Sequence, residues 1–177
     1  LVQILSAQIS PHLVGRIGLQ VVYLAVLAFT AALVETGGRW LGYRFVFGKL
    51  QKNWANGVAY GLGHGTAESA LLVGLNAVSN LVVALAVGAM GTEALAALDP
   101  TVAAQLASVP QALTDAGVIA PLLGALERML TIPFHVAMSL LVLLSFTRGQ
   151  SKWFWLAMAA HTFVDFTAPC LSAFTTL

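Results

Sequence analysis

Charge is scarce in this 177-residue chain: eight Lys and Arg and seven Asp and Glu amount to 8% of it, against roughly 25% in a soluble domain. So little charge cannot solvate the surface of a soluble protein this size, and hydrophobic residues supply 59% instead, so the solvent is largely lipid. A soluble enzyme, a disordered tail and a typical nucleic-acid binder are excluded. Net charge is +1, and no basic run is long enough to track phosphates. Cysteine is nearly absent as well. Cys170 stands alone, so no intrachain disulfide can form, and without a partner at metal-ligand spacing it is read as packing. The start lacks both Met and a basic stretch followed by a cleavable apolar core, and the end at Thr175, Thr176 and Leu177 is abrupt. The chain therefore reads as a piece of a longer protein.

What the sequence does have is long apolar runs. A helix needs about 20 mostly apolar residues, at about 1.5 Å each, to cross a bilayer. Four segments qualify, at about 17–41, 54–90, 118–146 and 153–174. The expected fold is all-α: a polytopic membrane helix bundle of about four spans in one membrane-embedded domain over residues 1–177. The second run is too long for one upright helix, so it must tilt, protrude or break, with the glycines at 57, 61, 63 and 65 the expected place. Pro133 should kink the third. Trp153, Phe154 and Trp155 form an aromatic interface anchor at the start of the fourth. Residues 91–117, with three acids, Pro100 and Pro110, are expected to be a loop around a short interfacial helical piece at 102–109.

Cytoplasmic loops collect Lys and Arg. The first connection holds Arg44, Lys49 and Lys52, the third holds Arg148 and Lys152, and the second holds no base but Glu93, Asp99 and Asp115. The alternation is self-consistent with four spans, cytoplasmic loops at 44–52 and 148–152, and an external acidic loop.

Ionisable groups inside a span are costly, by about 2.5–3.5 kcal/mol at a helix centre. Nine of the nineteen Asp, Glu, Lys, Arg and His residues nevertheless lie in the expected spans: Glu35, Arg39, His64, Glu68, Glu127, Arg128, His135, His161 and Asp165. Glu35/Arg39, His64/Glu68 and His161/Asp165 are i,i+4 pairs, so both members of each project from one helix face. Counting the helical rise from the basic ends puts His64 about 18 Å deep, His135 about 20 Å, His161 and Asp165 about 14 and 20 Å, and Glu35 about 14 Å. Glu127 comes out about 32 Å from Arg148, near the opposite face. His12, beside Pro11, is outside this layer and is read as incidental. The ridge of Gly57, Gly61 and Gly65 has the small-xxx-small spacing of close helix packing, and the same thinness would let a substrate backbone approach His64.

Imidazoles and carboxylates in one layer suit a divalent metal such as zinc, and a catalytic site takes three protein ligands while leaving a place for water. His64, His135 and His161 are the candidate ligands, and a remaining carboxylate could act as general base. Without metal, one Glu and one His can activate water directly while a second His and an acid stabilise the oxyanion. Either arrangement hydrolyses an amide. Arg39, Glu68, Glu127 and Arg128 are supporting residues, for which structural ion pairing is the plainer role.

The segments Val34-Glu35-Thr36-Gly37-Gly38-Arg39, Tyr60-Gly61-Leu62-Gly63-His64-Gly65-Thr66-Ala67-Glu68, Leu126-Glu127-Arg128, Phe134-His135 and His161-Thr162-Phe163-Val164-Asp165 resemble, in this order, the YhfC family of predicted bacterial intramembrane metalloproteases. The layout is also similar to that of the CAAX-protease and bacteriocin-processing superfamily, whose pattern runs Glu-Glu-x-x-x-Arg, Phe-x-x-x-His, His-x-x-x-Asn or Asp. Here Tyr60 replaces the Phe, Thr36 stands in place of the second Glu, and Arg39 follows Glu35 by four. The resemblance implies a peptidase in which Glu35 and His64 activate the water and His161 with Asp165 supports the oxyanion or a metal. The substrate would be a membrane protein or peptide, and no nucleic acid is implied. Other intramembrane classes fit worse, since His-Glu-x-x-His, Gly-x-Gly-Asp and Gly-x-Ser-x-Gly are all missing.

Two other readings compete. The same carboxylates and histidines could relay protons or bind cations in a transporter, although no inverted repeat supports this. A catalytically silent scaffold would keep the packing glycines and tolerate loss of the histidines.

Overall fold

The structure is a computed structural model that describes residues 16–49 and 51–175. His12 lies outside them. The described residues are all-α, as expected. Helix α1 (Ile17–Leu41) continues into a π-helical turn at Gly42–Val46. Helix α2 (Trp54–Glu68) passes through a second π-helical segment, Ser69–Gly74, into α3 (Leu75–Ala96). Then follow α4 (Pro100–Ala116), α5 (Ile119–Thr147) and α6 (Lys152–Thr175).

Three stretches are long and apolar enough to cross a membrane: Ile17–Val46, Trp54–Gly91 and Ile119–Thr147. The expected fourth, α6, forms with the right length but is not among them, because His161, Asp165, Lys152 and the indoles of Trp153 and Trp155 dilute its apolar content. The long second run departs from α-helical hydrogen bonding at the π-helical segment, not at its glycines, and stays helical through it. Gly91, at φ 70° and ψ 162°, then bends α3 near its end, a backbone conformation open to glycine. The region expected to be mostly loop is mostly helix. Asp99 caps α4 by accepting from the Thr101 and Val102 amides, Pro100 occupies the first turn where no amide is needed, and Gly117 (φ 57°) ends it.

The chain forms two compact units. Among the described residues the first joins 16–58 and 137–175, and in it α1 packs along α6. The buried positions of α1 are Ala28, Ala32, Thr36 and Arg39, a stripe whose small members let the helices approach closely. Ala157, Met158 and His161 are buried on α6. Val22, Val26 and Leu33 of α1 face outward, where lipid is their solvent. The basic end of this unit is held by aromatic contacts: Trp40 stacks on Phe146 at 5.7 Å and the Lys52 ammonium lies 5.7 Å from the same ring.

The second unit comprises residues 59–136, with α3 packed on α4. Its glycines explain the close approach of α2 to α5. A Cβ on Gly61 would lie 2.5 Å from the Val136 Cα, and one on Gly65 would meet His135 at 3.2 Å and the Ile132 Cα at 3.3 Å. In the first unit, a Cβ on Gly57 would lie 2.8 Å from Leu140 and Leu143. Gly63 has nothing within 4 Å. The ridge is thus a packing surface. Gly61→Ala should cost about 1–3 kcal/mol of stability, the usual penalty of overpacking against backbone, whereas Gly63→Ala should leave stability unchanged or slightly raised. Thermal unfolding of both variants in detergent checks this.

Candidate functional site

Two polar clusters form, each within one unit. In the first unit, Glu35 and Arg39 rise from α1 one turn apart, and His161 and Asp165 from α6 one turn apart. Arg39 is fully buried and donates to Glu35 Oε2 at 3.3 Å and to His161 Nδ1 at 3.5 Å. The other ring nitrogen of His161 lies 3.4 Å from Glu35 Oε2 and 3.6 Å from Asp165 Oδ2. Arg39 and His161 are withdrawn from the surface, while Glu35 and Asp165 keep 27% and 28% exposure. An open groove of about 720 Å³ reaches both carboxylates, with walls from Leu24, Leu27, Ala31, Val34 and Ala168. The donors and acceptors are therefore fixed below and the carboxylates can be approached from the side.

In the second unit, His64 and Glu68 rise from α2 and His135 from α5. The imidazoles of His64 and His135 lie with ring centres 5.3 Å apart. His135 Nε2 is 3.0 Å from Glu68 Oε2, and the other Glu68 oxygen accepts from Arg128 at 3.3 Å. Arg128 also pairs with Glu127, which is largely exposed. Gly65 is the reason that His135 can come so near, since any side chain there would press on its ring. His64, Glu68 and His135 each offer one ligand atom, all within 4.8 Å of one another.

A metal at about 2.0–2.2 Å from nitrogen and oxygen ligands holds any two of them within about 4.4 Å, so these side chains fit one after a small inward shift. Two histidines and a carboxylate are also a known catalytic zinc donor set. The structure brings His64 and His135 together and adds Glu68, while His161 stands with Arg39, Glu35 and Asp165. Glu127 stays at the surface and reaches this cluster through Arg128 alone among the contacts described. Sequence reasoning set Glu68 down as supporting, although its i+4 spacing from His64 already marked it as sharing that face. Ser139, fully buried one turn beyond His135, was passed over, because a serine in an apolar run carries no distinguishing signal.

These helices and their buried acid, base and imidazole groups define an integral membrane protein with two intramembrane polar clusters, one of them suited to metal. Residues 7–175 match the family described as YhfC intramembrane metalloprotease, and the chain belongs to that family. It is 35% identical over 113 residues to a protein of Bacillus subtilis (strain 168) named uncharacterized membrane protein YhfC, covering 64% of this chain and 43% of that one. The chain thus spans less than half the length of this curated relative. No solved structure matches.

Truncating Arg39 to Ala should destabilise the protein by about 3–5 kcal/mol, because the carboxylate it holds would be left without its buried cation. Arg128 is 22% exposed where Arg39 is fully buried, so Arg128→Ala should cost less than Arg39→Ala. Chemical unfolding of the two variants side by side measures the difference.

Proposed function

We propose that this chain hydrolyses peptide bonds of membrane-embedded or membrane-adjacent proteins or peptides, using a divalent metal, zinc by its donor set, held by His64, His135 and Glu68. The observation that carries the reading is the convergence of these three donors from two apolar helices. Burying them in a bilayer costs several kcal/mol, on the order of 2.5–3.5 for each charge, and metal binding offsets that cost. Such an ion supplies a water acidic enough to ionise near neutral pH.

The chain's own residues do the rest. Arg128 holds Glu68 through one oxygen and leaves the other directed at His135. Glu35, which pairs with Arg39, is the proposed general base toward water. His161 with Asp165 supports the oxyanion, which develops its charge only in the transition state. The helices exclude bulk water, so these charges act in a low dielectric. The basic loops at 44–52 and 148–152 lie, in this reading, on the cytoplasmic face of a bacterial membrane.

One observation favours transport as a second reading: the membrane run containing His64 and Glu68 passes immediately afterwards into a π-helical segment, and π-bulges inside helices are frequent at functional sites. Elemental analysis of purified protein separates the two, together with cleavage of a fluorogenic membrane peptide. Near-stoichiometric zinc is expected, lost in His64→Ala and His135→Ala, with cleavage reduced at least ~100-fold in Glu35→Gln. Metal-free folded protein that still cleaves through Glu35 would replace the metal by direct Glu and His activation of water. No cleavage, with a cation flux in liposomes that Glu68→Gln abolishes, would establish transport instead.

A further inference from the structure

We propose that Arg39 locks His161 in the tautomer that carries its proton on Nε2, which makes His161 a hydrogen-bond donor and removes it from the set of metal ligands. The argument starts from what each atom can do. A guanidinium only donates, so the Arg39 nitrogen 3.5 Å from His161 Nδ1 requires a lone pair there. An ionised carboxylate only accepts, so the Glu35 oxygen 3.4 Å from His161 Nε2 calls for a hydrogen there, and the Asp165 oxygen at 3.6 Å adds negative charge on the same side.

The opposite tautomer would fail at both ends at once, setting N–H against N–H at Arg39 and a lone pair against two carboxylates on the other side. A doubly protonated ring would still place an N–H against the guanidinium. Since His161 and Arg39 are both buried, water cannot relieve the conflict at Nδ1. A histidine binds a metal through a lone pair. The only lone pair of His161 in this arrangement is Nδ1, which already faces a fixed positive charge, and a divalent cation there would be repelled.

His64 and His135 are in the opposite situation, facing each other and Glu68. Arg39 therefore acts as a positioning residue, fixing the direction in which His161 presents its proton. The role of that Nε2 proton in supporting an oxyanion rests on the peptidase reading above. The tautomer does not, while the exclusion from the metal set rests on the zinc part of that reading.

The experiment is nitrogen NMR of protein labelled with ¹⁵N-histidine in lipid, the His161 signals being assigned by their disappearance in His161→Gln. The expected wild-type spectrum has a protonated Nε2 and an unprotonated Nδ1 for His161. A protonated Nδ1, in either a neutral or a doubly protonated ring, overturns the proposal, and this reading needs no variant to fold. In folded Arg39→Gln, whose amide can donate or accept, the tautomer should become mixed, whereas Arg39→Lys should preserve it. An unchanged single tautomer in Arg39→Gln would show that Arg39 does not set it. Metal content gives a separate arm: folded His161→Gln should retain the wild-type zinc level that His64→Ala loses, and its loss there would place His161 among the ligands. Protein that cleaves nothing yet shows the expected spectrum would end the peptidase reading and leave this one standing.

Discussion

Arg39 carries a charge that the bilayer cannot solvate, and much of the first unit can be understood as the means of holding it. A guanidinium placed in a membrane-spanning helix with no exposure must satisfy its donors from protein atoms. Glu35 is one turn away on the same face, and His161 is brought from α6. For α6 to come within reach, the face of α1 between them must be thin, which is what Ala28, Ala32 and Thr36 provide. The small-residue stripe, the helix pairing and the polar cluster therefore answer one demand.

The same demand made part of the site legible in the sequence. Charged residues in apolar runs are rare enough that their positions carry information, and i,i+4 spacing is translated directly into a shared helix face. Glu35 with Arg39 and His161 with Asp165 could be paired on that basis, and both pairs meet in the fold. Depth counting put His64 and His135 within a turn of each other, and their rings do face one another. Glu127, which depth counting put near the opposite face unless Pro133 or a tilt shortened the path, is exposed beside Arg128.

What was not legible depends on contacts between segments far apart in sequence. Depth cannot say which helix is whose neighbour, so it could not sort His161 with Arg39 or Glu68 with His135. The break in the second membrane run was expected at glycines, which are the weakest helix formers. Those glycines instead pack against α5, where a neighbouring helix holds the backbone in place, and the run departs from α-helical geometry at Ser69–Gly74, a largely exposed stretch. The loop expected around residues 91–117 was misjudged because Pro100 and Pro110 were taken as breakers. Pro100 sits in the first turn behind an Asp cap, and the helix accommodates Pro110 in its interior.

The glycine ridge joins packing to chemistry more closely than either reading alone would suggest. A Cβ on Gly65 would press on the Cβ and ring carbon of His135 at 3.2 Å, tighter than ordinary contact, so the imidazole or the whole helix would have to give by a few tenths of an ångström. That displacement is trivial for an apolar side chain. It is comparable to the ±0.2 Å tolerance, approximately, that a metal allows its ligands, and it would fall on a side chain already held against Glu68 at 3.0 Å. The missing side chain at Gly65 thus lets α2 and α5 close on each other and sets where His135 stands relative to His64. If His135 holds a metal as proposed, close packing and ligand placement become the same constraint at this position, and a glycine four residues before Ser69 and one after His64 then serves structure and function together.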